Sequence, residues 1–389
     1  MAKVCANCAL IIYYISNPLE RTVTAPALGV VAWFYPPLMK AVLLKRFSDP
    51  LIPRPSAEPC AAIRCQNHPS RIPELIVTRI IKSFKTVLFG IGLMLSCAYA
   101  GNAQENKPVI GLVMKSLANE FFKDMQEGAV KHVQERGDLT LIPVGMHSET
   151  DIDTQVNAVE NFITKKVDAI VIAPADSRAL VPPLARAIKA GIVVINIDVA
   201  LDEAAKKQAG ISLAFVGPDN RAGAKMSGDE LAKALGPGGK VVIIEGNPGA
   251  DNAQQRKLGF DDSVKEGKLD LLDSRTAHWE TEEANTVFTN MLTAHPDIQG
   301  VMAANDSMAL GVVKAIDAAG KSGKIQVVGF DNIPAVQPLL KEHKMLATID
   351  QFGSKMAANG IDYAMKALKG EKLEGWIKTP IQLVIAPAN

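Results

Sequence analysis

Four apolar runs in this chain break off at a polar pair or a lone carboxylate: Ile195-Asn196-Ile197-Asp198, Ala304-Asn305-Asp306, Gly329-Phe330-Asp331 and Ile349-Asp350-Gln351. A buried strand that ends this way presents its polar group at a cleft, because leaving one unpaired inside costs about 1–3 kcal/mol. A fifth run, Val109 to Met114, delivers Lys115, Asn119, Phe121 and Phe122 in the same manner. Arg256 follows Asn252 by four residues, which puts both on one helix face. A lone helix arginine is ordinarily solvated, but the Gly246-Asn247-Pro248-Gly249 turn starts this helix at a strand end. Trp279 stands in the polar stretch Ala277-His278-Trp279-Glu280, outside any apolar stripe, where an aromatic is a stacking platform sooner than core. Carboxylates, amides and aromatic faces converging on one crevice are what a neutral polyhydroxylated ligand such as a sugar requires.

The elements that must position these residues are legible from Lys107 onward, where short apolar runs alternate with amphipathic stretches. Strands are predicted over 109–114, 140–144, 169–173, 193–197, 214–216, 240–244, 270–272, 300–303, 325–329 and 346–349. Most are followed by apolar positions at helical spacing, as in Phe122, Met125, Ala129 and Val133. Strands rich in Val and Ile on both faces and separated by helices indicate parallel sheets covered on each side, a doubly wound α/β class. Ten strands exceed one comfortable sheet, and the series weakens around Ser212 to Asn220, so a lobe change is placed near Pro218. Two such lobes would share a crevice at the C-terminal ends of their strands, where ligands bind in open α/β sheets.

The chain is 389 residues long, enough for two or more cores. Its charge of +1 hides an asymmetry: residues 1–100 hold 11 Lys and Arg against 4 Asp and Glu, leaving 31 against 37 in the rest. The body is therefore mildly acidic and offers no basic face to nucleic acid. All five cysteines, Cys5, Cys8, Cys60, Cys65 and Cys97, fall in the first 97 residues. Cys5-Ala-Asn-Cys8 has metal-pair spacing, but no second pair or nearby His completes it, and no metal or cofactor is expected. Residues 79–103 read as a secretory signal, with basic Arg79, Lys82 and Lys85, an apolar stretch from Thr86 to Ser96, and the small-x-small site Ala98-Tyr99-Ala100. Cleavage after Ala103 is an alternative, and Met94-Leu95-Ser96 before Cys97 fits a lipoprotein box poorly. The expected location is the periplasm. Residues 1–78, rich in proline and without periodicity, read as a spurious or unstructured leader, with initiation near Val77.

Catalytic motifs fail on inspection. Gly320-Lys321-Ser322 suggests a P-loop, but Ala315 stands where its first glycine belongs, and Gly320 reads as a helix C-cap. Gly236-Pro237-Gly238-Gly239 precedes a strand and reads as a turn. Asp306 and Asp331 would be a carboxylate pair for glycoside hydrolysis only with a recognisable nucleophile or raised acid, so no enzyme is expected.

Lys115-Ser116-Leu117-Ala118-Asn119-Glu120-Phe121-Phe122, Asn196-Ile197-Asp198, Ala304-Asn305-Asp306-Ser307-Met308-Ala309-Leu310-Gly311, Val328-Gly329-Phe330-Asp331 and Ala347-Thr348-Ile349-Asp350-Gln351 together resemble the periplasmic ribose- and allose-binding proteins of ABC importers. The resemblance covers about 107–386, with the motifs in the same order. It implies that Phe122 and Trp279 sandwich a sugar ring, that Asn119 and Phe121 join them, and that Asp198, Asn305, Asp331, Gln351 and Arg256 bond hydroxyls. Lys115 matches the lysine of the allose type, where the ribose type has serine. The sequence departs at Val199, where the family has Arg or Glu, and that loss widens the ligand class to deoxy sugars, ketoses or polyols. The resemblance further implies a three-strand hinge, with 107–218 plus 352–382 in one lobe and 219–351 plus 383–389 in the other. Expected partners are a monosaccharide, the permease subunits of an ABC importer and, compatibly, a chemoreceptor; the chain is expected to be a monomer. Rival readings are a furanone binder, a sugar-modifying enzyme, or the ligand domain of a lac-repressor-like regulator. The last needs a helix-turn-helix at its head, which proline-rich residues 1–78 do not offer.

Overall fold

Two six-stranded sheets organise the molecule. The computed structural model describes residues 107–387, so the expected leader, signal segment and all cysteines lie outside the described residues. The first sheet has the order β11-β5-β4-β3-β1-β2. Its strands are β1 (Val109–Ser116), β2 (Thr140–Met146), β3 (Ala169–Ile172), β4 (Val193–Ile197), β5 (Phe215–Gly217) and β11 (Trp376–Lys378). All its pairings are parallel. The second has the order β12-β10-β9-β8-β6-β7. It is built from β6 (Lys240–Glu245), β7 (Asp270–Thr276), β8 (Gly300–Ala303), β9 (Gln326–Val328), β10 (Ala347–Asp350) and β12 (Gln382–Ile385). Only its edge strand β12 runs antiparallel, against β10.

The helices are α1 (Glu120–Arg136), α2 (Ile152–Lys165), α3 (Val181–Lys189), α4 (Glu203–Ala209) and α5 (Asn220–Leu235). They continue as α6 (Asp251–Glu266), α7 (Thr281–Ala294), α8 (Asp306–Ala318), α9 (Gln337–Lys341) and α10 (Gly353–Leu368). Both faces of the first sheet are buried, because alternate residues of a strand point opposite ways. Ala169 and Val171 of β3 belong to the core that includes Met125 and Ile361, whereas Ile170 and Ile172 join Val159, Phe162 and Leu184 on the other face. Such double burial is why the central strands carry almost no polar residue.

The chain passes between the two layered units three times, after β5, after β10 and between β11 and β12. α10 packs on α1, β3 and β4, although it follows a strand of the second sheet. Two strands have no counterpart among the ten predicted. β11 and β12 are short, partly exposed edges whose sequences, Trp-Ile-Lys and Gln-Leu-Val-Ile, hold too few buried positions for a pattern. β7 extends to Thr276, beyond the predicted 272, because this polar edge strand continues by pairing with β6. Gly320 follows α8 at φ +63°, the left-handed geometry of a helix end.

Candidate functional site

Lys115, Asn119, Phe121, Phe122, Asp198, Asn252, Arg256, Trp279, Asn305, Asp331 and Gln351 line one tightly packed cleft between the two sheets. Every one of the eleven residues singled out from the sequence is there.

Local rules explain how the side chains arrive. Asn119 and Asn305 are the N-caps of α1 and α8: their side-chain oxygens accept from Phe121 N at 3.1 Å and Met308 N at 2.9 Å. Capping holds each amide in place while the residue lines the cavity. Asp198 ends β4 at φ +65°, and Val199 N donates to Ile197 O at 2.7 Å across it. Asn196 fixes the loop beyond by donating to Val199 O (2.8 Å) and accepting from Leu201 N (3.1 Å). Val199 itself is fully buried in the hydrophobic core and does not line the cavity. Trp279 and Asp331 also hold positive φ, +74° and +119°. For a bulky residue such as Trp this is backbone strain of about 1–3 kcal/mol, of the kind that clusters at binding sites. Gly246 makes room for the indole, since a Cβ there would stand 2.1 Å from the ring.

The electrostatics are dense. Arg256, 2% exposed, donates from Nε to Asn220 Oδ1 at 2.8 Å and from Nη1 to Ala304 O at 2.8 Å, with Asp331 Oδ1 at 3.5 Å. Its guanidinium carbon lies 3.6 Å from the Phe330 ring centroid and 5.4 Å from that of Trp279. Gln351 Nε2 donates to Asp331 Oδ1 at 2.7 Å. Burial pushes the Asp331 acid up to about 7, against the pull of Arg256. Burial raises Asp198 as well, opposed by Lys115 and Arg256, and it lowers Arg256 against Asp331 and Asp198. Several buried polar atoms of the lining have no partner among the described residues: both carboxylate oxygens of Asp198, Asn252 Oδ1, Trp279 Nε1 and Gln351 Oε1.

Other polar strand ends brace the site without lining it. Asp306 accepts from Thr348 Oγ1 at 2.8 and 3.0 Å and from Ile333 N at 3.1 Å, which commits it to the framework, while burial and the nearby Asp331 charge hold its acid well above the usual carboxylate range. Asp350 accepts from Phe352 N at 2.8 Å and Asn332 Nδ2 at 3.1 Å. The sequence reading missed Glu149, Asn220, Glu280 and Ser307. Glu149 lies three residues past the end of β2, so the same strand-end rule finds it once the strand is extended to Met146.

Direct bonds join the two units around the cavity. Ser177 N donates to Gly249 O at 3.0 Å, and Ser177 Oγ accepts from Asp251 N at 2.9 Å. On the opposite side Glu149 N donates to Glu280 Oε1 (2.9 Å), Ser307 Oγ to Asn119 Oδ1 (3.2 Å), and Ala335 N to Glu120 Oε2 (3.0 Å). The structure is a closed cleft.

Residues 110–372 match the model of the periplasmic binding protein domain. The chain is 47% identical over 300 residues to a D-ribose/D-allose-binding protein of Pseudomonas aeruginosa, covering 76% of this chain and 93% of that one. An ABC transporter solute-binding protein from Burkholderia multivorans superposes with a TM-score of 0.70 at 46% identity, covering 72% of this chain and 99% of that one. A periplasmic solute-binding protein from Actinobacillus succinogenes with bound D-allose gives 0.69 at 41%, covering 72% and 98%.

Proposed function

Because this chain belongs to the periplasmic binding protein family, we propose that its cavity captures one neutral monosaccharide, ribose- or allose-like, and delivers it to the permease of an ABC importer. The observation that carries this reading is the set of unpartnered buried atoms on Asp198, Asn252, Trp279 and Gln351, gathered between aromatic faces. Each costs about 1–3 kcal/mol until something bonds it, and a sugar ring, with hydroxyls on most of its carbons and an oxygen in the ring, supplies both donors and acceptors. Relatives named for ribose and allose support that ligand class.

Capture proceeds by closure. Phe121, Phe122, Lys115 and Asp198 belong to elements of the first sheet, and Trp279, Arg256 and Asn305 to those of the second. An open cleft offers a sugar one set; closure brings the second set and the bonds at the rim, so the ligand shifts the population toward the closed form. The signal segment at 79–103 would take the protein to the periplasm, where such capture serves an importer.

A thermal-shift screen of the exported protein against pentoses, hexoses, deoxy sugars and polyols tests the reading. A ligand that binds only the folded form raises the melting point, by about 2.7 kcal/mol of stability at 100 times its Kd. One or two strong hits among the neutral aldoses are expected; a blank panel would sink the proposal.

A further inference from the structure

Behind the aromatic pair lies a carboxylate outside the cavity lining. Glu149 is 1% exposed; its Oε2 stands 3.0 Å from Lys115 Nζ, and its Oε1 accepts from Asn119 Nδ2 at 3.0 Å. Both partners line the cavity. Lys115 Nζ is 4.9 Å from the Phe122 ring centroid and 5.2 Å from that of Trp279. One carboxylate thus fixes an ammonium between two rings and sets the orientation of the neighbouring amide. A lysine carries a compact charge on a flexible stem, and a buried one without a counter-charge is strongly destabilising. In the closed cleft the backbone N–H of Glu149 also donates to Glu280 Oε1 of the other lobe.

We propose that Glu149 is the positioning residue for Lys115, and that by cancelling the ammonium's charge it makes the cavity select neutral sugars against sugar acids. The proposal rests on the sugar-binding reading above. The lining cations Lys115 and Arg256 face the lining carboxylates Asp198 and Asp331, and Glu149 adds a third carboxylate at the Lys115 end. An anionic sugar placed there meets an acceptor already in possession of the lysine. With Glu149 neutralised, the same lysine is an unpaired cation that a ligand carboxylate complements.

The test is calorimetric titration of the wild type, Glu149→Gln, Lys115→Met and the double variant with D-ribose, D-allose, D-glucuronate and D-galacturonate, with melting points recorded for each. Glu149→Gln is expected to lose at least tenfold in affinity for the neutral sugar. It is expected to narrow the preference for neutral sugar over uronate by at least as much, a gain that a merely structural role would not produce. In the Lys115→Met background the same change should alter affinity less than twofold, because the ammonium is gone and the amide oxygen of Gln can still accept from Asn119 Nδ2. Glu149→Asp, which keeps the charge, should recover part of the loss. Should Glu149→Gln be too unstable to titrate, Glu149→Asp decides: weakened neutral-sugar binding at a near-normal melting point supports the proposal. Unchanged affinity in Glu149→Gln or Glu149→Asp, or an equal loss in both lysine backgrounds, overturns it. A wild type that binds no neutral sugar instead refutes the sugar-binding reading on which it rests.

Discussion

Replacing Asp331 by Asn keeps the shape of the side chain and removes its charge, so it isolates what the carboxylate contributes. Asp331 accepts from Gln351 at 2.7 Å and faces Arg256 at 3.5 Å, deep in the lining. A hydrogen bond from a sugar hydroxyl to a charged group is worth about 1.5–3 kcal/mol, against about 0.5–1.5 kcal/mol for a neutral one. The difference of about 1–2 kcal/mol corresponds to a roughly 5- to 30-fold weaker Kd. Arg256 keeps its bonds to Asn220 and the Ala304 carbonyl at 2.8 Å each, but loses the carboxylate that most opposes its burial, so melting points are compared alongside affinity. The raised acid adds a pH signature. With its pKa pushed up to about 7, Asp331 carries a proton below that value in the closed, ligand-free protein. A donating hydroxyl must displace this proton, so affinity is full above pH 7 and falls by up to about tenfold per unit below it. Asn does not titrate, and the gap between the two proteins should be widest at pH 8.5 and close toward pH 5.5. Stability without ligand runs the other way. A group raised in the folded state stabilises fully below its unfolded pKa, near 4, and loses that contribution as pH rises through about 7. The melting point should fall across this window, less steeply in Asp331→Asn. Calorimetric titrations with D-ribose and D-allose at pH 5.5, 7 and 8.5 decide the matter: a variant within twofold of wild type at pH 8.5, or a flat wild-type profile, refutes the argument.

Trp279→Ala should weaken sugar binding at least tenfold, through about 0.5–1.5 kcal/mol of stacking plus lost buried area, with the far-ultraviolet circular dichroism spectrum unchanged. Gly246→Ala should mimic it while keeping the indole, because the new Cβ would sit 2.1 Å from the ring; normal sugar affinity would show that the ring moves aside freely. Glu280→Ala removes the acceptor for Glu149 N at the rim, and stopped-flow fluorescence should show faster sugar release, about tenfold, with the association rate little changed. Intact-mass measurement of the exported protein should begin after Ala100 or Ala103; a mass that includes Cys5 would overturn both the signal and the leader.

The cavity lining was readable because a buried strand must end its apolar run where it meets the cleft, and the run's last residues are contiguous in sequence. What those residues bond to is another matter. Lys115 and Glu149 are 34 positions apart, and Arg256 meets Asn220 across 36; the choice among distant partners is made by sheet order, which no local pattern states. Val199 shows the same limit from the other side: nothing local in the sequence states that the residue after Asp198, which holds φ +65°, buries its side chain in the core. Phe352 holds φ +54° where the chain crosses from β10 to α10, a geometry that sequence announces only when glycine occupies it. The edge strands β11 and β12 escaped because one exposed face leaves too few apolar positions to count.

The position of those last strands bears on how the chain can be made. Gly217 of β5 waits for Trp376, 159 residues later, before its neighbour in the first sheet arrives. At about 5–20 residues per second of synthesis, that interval is roughly 8–32 s. α10, which covers β3 and β4, emerges almost as late. Neither sheet is complete until the final described strands have left the ribosome, so the two layered units cannot finish folding one after the other as the chain emerges, and both wait on β11 and β12.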